Sequence, residues 1–174
     1  MKKILLTIAM MPVFAGMYAQ SANSGATQSL NLAMNDIIEI AIVNGNTLNM
    51  GFSSVNDYAN GVVSAEQELV VKSNNRFNVR VKARTSRFSY SGASSDPKMS
   101  SSKLSVKVTA NNTGGVISSG HTNYKSLSTG GQSMISNAAA GGNKTFKVQY
   151  KATPGYTYPA GVYTVDVVYT ATQS

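Results

Sequence analysis

The side chains able to do acid–base or nucleophilic chemistry are few in this chain and stand apart from one another. His121 is the only histidine. It sits in the turn-like Ser118-Ser119-Gly120-His121 segment, where one loop histidine is expected to be solvated rather than catalytic, although histidine is the usual acid–base group near neutral pH. The seven acids are Asp36, Glu39, Asp57, Glu66, Glu68, Asp96 and Asp166. Glu66 and Glu68 could share a strand face, but Glu66-Gln67-Glu68 reads as a solvated entry to a strand. Glycosidase chemistry needs two acids opposed across a cleft, and no second cluster supplies the partner. A hard cation needs several oxygens from one loop; Asn56-Asp57 followed by Asn60 comes nearest and reads first as a turn.

Serines abound without a Gly-x-Ser-x-Gly elbow. Gly141-Gly142-Asn143-Lys144-Thr145 resembles a phosphate loop only superficially, because the glycine spacing fails and no helix clearly follows. The absence of cysteine excludes thiol catalysis and Cys-based metal sites. No catalytic residue, metal site or cofactor is expected, and the chain reads as a non-enzyme. Of the nine tyrosines, Tyr150, Tyr156, Tyr158, Tyr163 and Tyr169 crowd the C-terminal quarter. They suit core packing with a hydroxyl at the rim, or alternatively a platform for sugar, since tyrosine tolerates wet interfaces.

Those residues need elements to hold them, and the N-terminus says where such elements would form. Met1-Lys2-Lys3 is a short positive region, residues 4–15 are apolar apart from Thr7 and Pro12, and Ala19 is a small residue before Gln20. That order is the secretory signal pattern, and the apolar run is too short to span a bilayer core of about 30 Å. Export is expected, to the periplasm, cell surface or medium, with no transmembrane segment after cleavage. No cysteine follows the apolar run, so lipoprotein anchoring is excluded. Removing residues 1–19 from the 174 leaves 155, one domain's worth. Lys2 and Lys3 leave with the signal, so 13 basic and 7 acidic residues remain, a net charge of +6. Small exported domains often depend on disulfides; this one must rely on its core.

Beyond the signal, apolar residues recur at a spacing of two. Phe77, Val79, Val81 and Ala83 alternate with Asn78, Arg80, Lys82 and Arg84, the pattern of a half-buried strand. Leu104, Val106 and Val108 repeat it, as do Phe146, Val148 and Tyr150. The strongest run is Tyr163, Val165, Val167 and Tyr169, opposite Thr164, Asp166 and Thr170. Largely buried Phe77, Val79, Val81, Tyr163, Val165 and Val167 are expected, with Arg80, Lys82 and Thr164 outward. Weaker strands are expected at residues 29–34, 37–43, 47–52, 69–72, 88–91 and 124–127. Asn44-Gly45-Asn46 reads as a tight hairpin turn joining 37–43 to 47–52, since Asn and Gly tolerate positive φ. Residues 136–140 could carry a helical turn. Short strands at this spacing argue for an all-β antiparallel sandwich, with residues 20–28 as a polar extension and 29–174 as the domain. No internal repeat or linker divides it. Arg76, Arg80, Lys82, Arg84 and Arg87 read as a solvated sheet face, or as a surface for cell-wall or anionic polysaccharide; no nucleic-acid partner is expected.

Pro159-Ala160-Gly161-Val162-Tyr163, running into Thr164-Val165-Asp166-Val167-Val168-Tyr169, resembles the C-terminal strand of bacterial surface sandwiches. It is similar to spore-coat-protein-U-type and chaperone–usher pilin-like domains, and also to WxL cell-wall domains. The turn before Phe77-Asn78-Val79-Arg80-Val81 adds to the resemblance. What it implies is an immunoglobulin-like sandwich serving as a structural subunit of a cell-surface or fimbria-like assembly. Its hydrophobic groove would be filled first by a periplasmic chaperone at an outer-membrane usher, and then by the N-terminal strand of the next subunit. Leu30, Leu32 and Met34 alternate as such a strand would, or else form this domain's own first strand. Tyr163, Val165, Val167 and Tyr169 are the candidates to receive the incoming strand. A non-catalytic module for binding cell-wall polymer or glycan is the other function the residues allow.

Overall fold

Phe77, Val79, Val81 and Ala83 are no more than 1% exposed, while Arg80 and Lys82 between them face solvent. Successive side chains on a strand point to opposite faces, so the period-two pattern produces one dry face and one wet one. The computed structural model describes residues 24–43 and 45–174. Its strands are β1 (Ile38–Ile42), β2 (Val62–Val63), β3 (Gln67–Ser73), β4 (Phe77–Ala83), β5 (Ser89–Ser91) and β6 (Leu104–Asn111). Then follow β7 (Val116–Ile117), β8 (Lys125–Ser126), β9 (Gln132–Ala138), β10 (Gly141–Ala152), β11 (Val162–Thr164) and β12 (Val167–Gln173).

One sheet runs β1-β3-β10-β6-β8, with β2 against the end of β10; the other runs β12-β4-β9-β7; β11 and β5 form a separate ribbon. All these pairings are antiparallel. Leu69, Val71, Phe146 and Val148 of the first sheet share one apolar cluster with Phe77, Val79, Val81 and Met134 of the second. Two antiparallel sheets facing each other across one dry layer are a β-sandwich, as the alternation implied. The chain passes directly between the two sheets at β3–β4, β6–β7, β7–β8, β8–β9 and β9–β10. At the second crossing Asn111 Oδ1 accepts from the Thr113 backbone N–H (3.1 Å) and hydroxyl (2.6 Å), and its amide donates to Gly115 O at 2.9 Å.

Several local expectations give way to tertiary pairing. Residues 37–43 and 47–52 do not form a hairpin: β1 pairs with β3 instead, and residues 47–52 form no strand. The expected helical turn at 136–140 is absent, because that stretch ends β9, where a register shift against β4 buries both Met134 and Ile135. Residues 56–60 form neither an open turn nor a cation loop. They lie in a short helix, α1 (Val55–Asn60), capped by Ser54 and Asp57 in a reciprocal box. Gly61 ends α1 at φ +81°, and a Cβ there would lie 2.5 Å from the Ala152 carbonyl oxygen. The long terminal strand is two, because β11 pairs with β5 and β12 with β4. Its Tyr163, Val165 and Val167 are half-buried rather than largely buried.

His121 is likewise not solvated. It closes a 3-10 turn before β8 with 0% exposure, its Nδ1 lies 3.4 Å from the Val106 carbonyl, and its Nε2 has no hydrogen-bond partner among the described residues. Burial pushes its pKa below the ordinary value, and nearby Lys125 acts in the same direction, against the Val106 contact. The folded state therefore prefers neutral imidazole, and the unfolded chain takes up the proton first as pH falls. This contribution to stability is complete above about pH 6.5 and is lost as pH drops from there through the lower folded pKa. His121→Gln should flatten the acid limb of a melting-temperature profile in that window. An unchanged slope would assign the limb to other groups.

Candidate functional site

Two edges of the sandwich lie side by side. Among the described residues β1 pairs only with β3, and β12 only with β4, so each carries a row of backbone groups without a ladder partner there. At one end Gln173 ties the edges together: its Nε2 donates to Ile37 O at 2.9 Å and lies within reach of Asn74 Oδ1 (3.1 Å) and Ser73 Oγ (3.2 Å). Further along, the edges part around a cleft of about 950 Å³. Ile42 of β1, buried Leu69 of β3, Val167 and Tyr169 of β12, and Tyr163 and Val165 before it are among the residues that line it.

Central strands bury their core residues fully. Along this seam Ile40, Ile42, Val167, Tyr169 and Ala171 pack on the same core yet remain half-buried. Half-buried apolar side chains beside unpaired strand edges are a surface that a further strand can cover. Tyr150 of β10 and Tyr169 of β12 join the sheets through their hydroxyls at 2.7 Å. Burial raises both phenol pKa values, that of Tyr169 well above the ordinary value with Tyr150 beside it as a further cause. Both therefore stay neutral at physiological pH, and whichever hydroxyl accepts keeps a proton for another acceptor.

The cleft brings together all four residues of the terminal run, Tyr163, Val165, Val167 and Tyr169. Leu30, Leu32 and Met34 belong to a separate unit from the sandwich, which begins at Asn35. Residues 24–34 form no strand, and those three side chains are 78%, 81% and 84% exposed. Sequence reasoning missed Ile42, Leu69 and Tyr150, whose role depends on which edges meet. It also missed the part played by residues 47–52. There Leu48, Met50 and Phe52 line the cleft half-buried, alternating with exposed Thr47, Asn49 and Gly51. The Phe52 ring lies 5.5 Å from Tyr58, which stacks on Tyr156 at 5.9 Å.

Elsewhere the polar groups are structural. Backbone N–H groups of Ser53 and Ser54 hold the Asp57 carboxyl below its usual pKa. Arg84 pairs with Asp166 at 3.0 Å with both side chains exposed, a contact worth at most about 1 kcal/mol. Arg80 donates to Gly131 O, and Lys82 faces solvent beside it on the second sheet. Among the described residues no group of three or more His, Cys, Asp or Glu is placed to hold a metal ion, and no helix is long and apolar enough to cross a membrane. The expected signal, residues 1–19, lies outside the described residues. No protein-family model and no curated protein matches the sequence.

Proposed function

We propose that this chain is an exported structural subunit of a bacterial cell-surface or fimbria-like assembly, joined to the next copy by β-strand pairing. The observation that carries the reading is the cleft at the ends of β1 and β12, lined by half-buried apolar side chains, beside two strand edges that have no ladder partner among the described residues. In this reading the sandwich is immunoglobulin-like and lacks one strand at the seam. The missing strand is residues 29–34 of a second copy, whose Leu30, Leu32 and Met34 alternate and stand exposed. Backbone pairing with an edge gives affinity, and alternate side chains in pockets give register. A periplasmic chaperone would cover the seam before assembly at an outer-membrane usher.

The test is to compare the full chain with one lacking residues 24–34, both recovered after export, by size-exclusion chromatography and negative-stain imaging. Fibres or oligomers are expected from the first and monomers of equal melting temperature from the second, with intact mass placing the exported N-terminus near Gln20. A full chain that remains monomeric at high concentration, or a truncated one that still assembles, would overturn the reading. A second reading, a non-catalytic module for cell-wall or anionic polysaccharide, is favoured by the outward Arg80 and Lys82 and by Tyr156, which is 65% exposed. Retention of a strictly monomeric protein on an acidic polysaccharide matrix would select it.

A further inference from the structure

Six residues along the cleft repeat, position by position, the chemistry of six residues in the N-terminal segment. Thr47-Leu48-Asn49-Met50-Gly51-Phe52 reads hydroxyl, leucine, asparagine, unbranched or leucine-like aliphatic, smallest side chain, large apolar. Ser29-Leu30-Asn31-Leu32-Ala33-Met34 reads the same. The first copy has the burial alternation of a strand: Leu48, Met50 and Phe52 turn toward the cleft, and Leu48 and Met50 pack on the core. Yet it is not a strand. Among the described residues, 47–52 make no backbone–backbone hydrogen bond, so they line the cleft with side chains without pairing to β1 or β12. The second copy presents its counterparts, Leu30, Leu32 and Met34, largely to solvent.

We propose that residues 47–52 are an internal stand-in for the strand a second copy supplies. Residues 29–34 of that copy displace them, with Leu30, Leu32 and Met34 taking the places of Leu48, Met50 and Phe52. The inference rests on the strand-pairing function proposed above and adds what the seam holds before pairing and in which register the newcomer enters. Side chain for side chain, the exchange leaves apolar burial nearly unchanged. What the newcomer adds is a ladder of backbone hydrogen bonds that the stand-in lacks. In a subunit free of its chaperone the stand-in covers an apolar edge that would otherwise associate indiscriminately. The segment is bounded to allow departure: Gly45, at φ +91° with open space around it, precedes it, and the Ser54 cap of α1 follows it.

The chain has no cysteine, so Met50→Cys places a single thiol at a half-buried position of the stand-in. The full chain carrying it, held monomeric by Leu32→Asp, is treated with a maleimide, with and without a synthetic peptide of residues 24–36, and binding of the fluorescently labelled peptide is measured by anisotropy on this chain and on the Leu32→Asp chain without the thiol. Peptide binding should raise the labelling rate on the order of tenfold as the thiol leaves the seam. Asn49→Cys, already exposed, should label quickly under both conditions, and a peptide with aspartate for Leu30 and Leu32 should neither bind nor accelerate. Binding without acceleration would place the peptide beside the stand-in, overturning the exchange and leaving strand pairing intact. Failure of the peptide to bind overturns the exchange, and if the wild-type full chain also stays monomeric, the strand-pairing function falls with it.

Discussion

Phe146→Ala should lower the stability of the folded chain by about 3–5 kcal/mol, the range for removing a buried aromatic ring and leaving part of its volume empty. Phe146 is 0% exposed and lies at the centre of β10, opposite Leu69 of β3 and Asn111 of β6. Its ring meets the edge of Tyr169 from the other sheet at 6.4 Å, so the substitution removes a contact within a sheet and one across the core. Domains of this size are typically stable by only about 5–15 kcal/mol, so a large part of the total would go. Urea denaturation with the slope held constant gives the figure. Val79→Ala on β4, which removes less volume, should cost on the order of 1–3 kcal/mol. A Phe146 variant indistinguishable from wild type would mean that the two sheets do not share the layer described above.

Leu32→Asp should abolish assembly while leaving the melting temperature of the monomer unchanged. Leu32 is 81% exposed, and surface substitutions away from special features usually change stability by no more than about 0.5 kcal/mol. In a dry seam the same carboxylate has no partner, and burying it unpaired costs several kcal/mol. Each 1.4 kcal/mol is about a factor of ten in affinity, so association should weaken by roughly a hundredfold or more. Asn31→Asp is the control, because an alternating strand that buries Leu30 and Leu32 turns Asn31 outward. Analytical ultracentrifugation separates the outcomes. Equal losses from the two substitutions would point to bulk charge rather than an inserted strand. A large fall in monomer stability with Leu32→Asp would show that the segment belongs to its own sandwich.

The parts of the fold legible in the sequence are those where one strand has two unlike faces. β4 is the clear case, since Phe77 to Ala83 alternates without a break and its buried and exposed sets follow that alternation. Turn chemistry was a poorer guide. Asn44-Gly45-Asn46 has hairpin composition, but whether the strands on either side pair depends on what else competes for them, and β3 wins β1 across its full length. Ser136 to Ala140 has no strong preference of its own, so pairing with β4 and β7 decides it. His121 looked solvated because its neighbours are Ser and Gly; its burial follows from the 3-10 turn resting on β6, a contact between residues distant in sequence. The candidate site shows the same division. Tyr163, Val165, Val167 and Tyr169 were visible as a set facing one way, although their ladder breaks at Val165-Asp166. That they line a cleft could not be read, because a cleft needs two edges and the sequence does not say which strands end each sheet.

The strand order has a consequence in time as well as in space. On β4, Val79 is held between Ile135 of β9 and Ala171 of β12, and β10 is likewise sandwiched between β3 and β6. In an emerging chain β3 can pair with β1 at once, but β4 stands unpaired until β9 and β12 follow, and β3 waits for β10. Pairings this distant along the chain close slowly, on the order of milliseconds to seconds, and uncovered strands are prone to aggregate meanwhile. Cooperative closure thus falls to the arrival of β9, β10 and β12. A polypeptide wired in this way commits to its native shape only once its last third has been made.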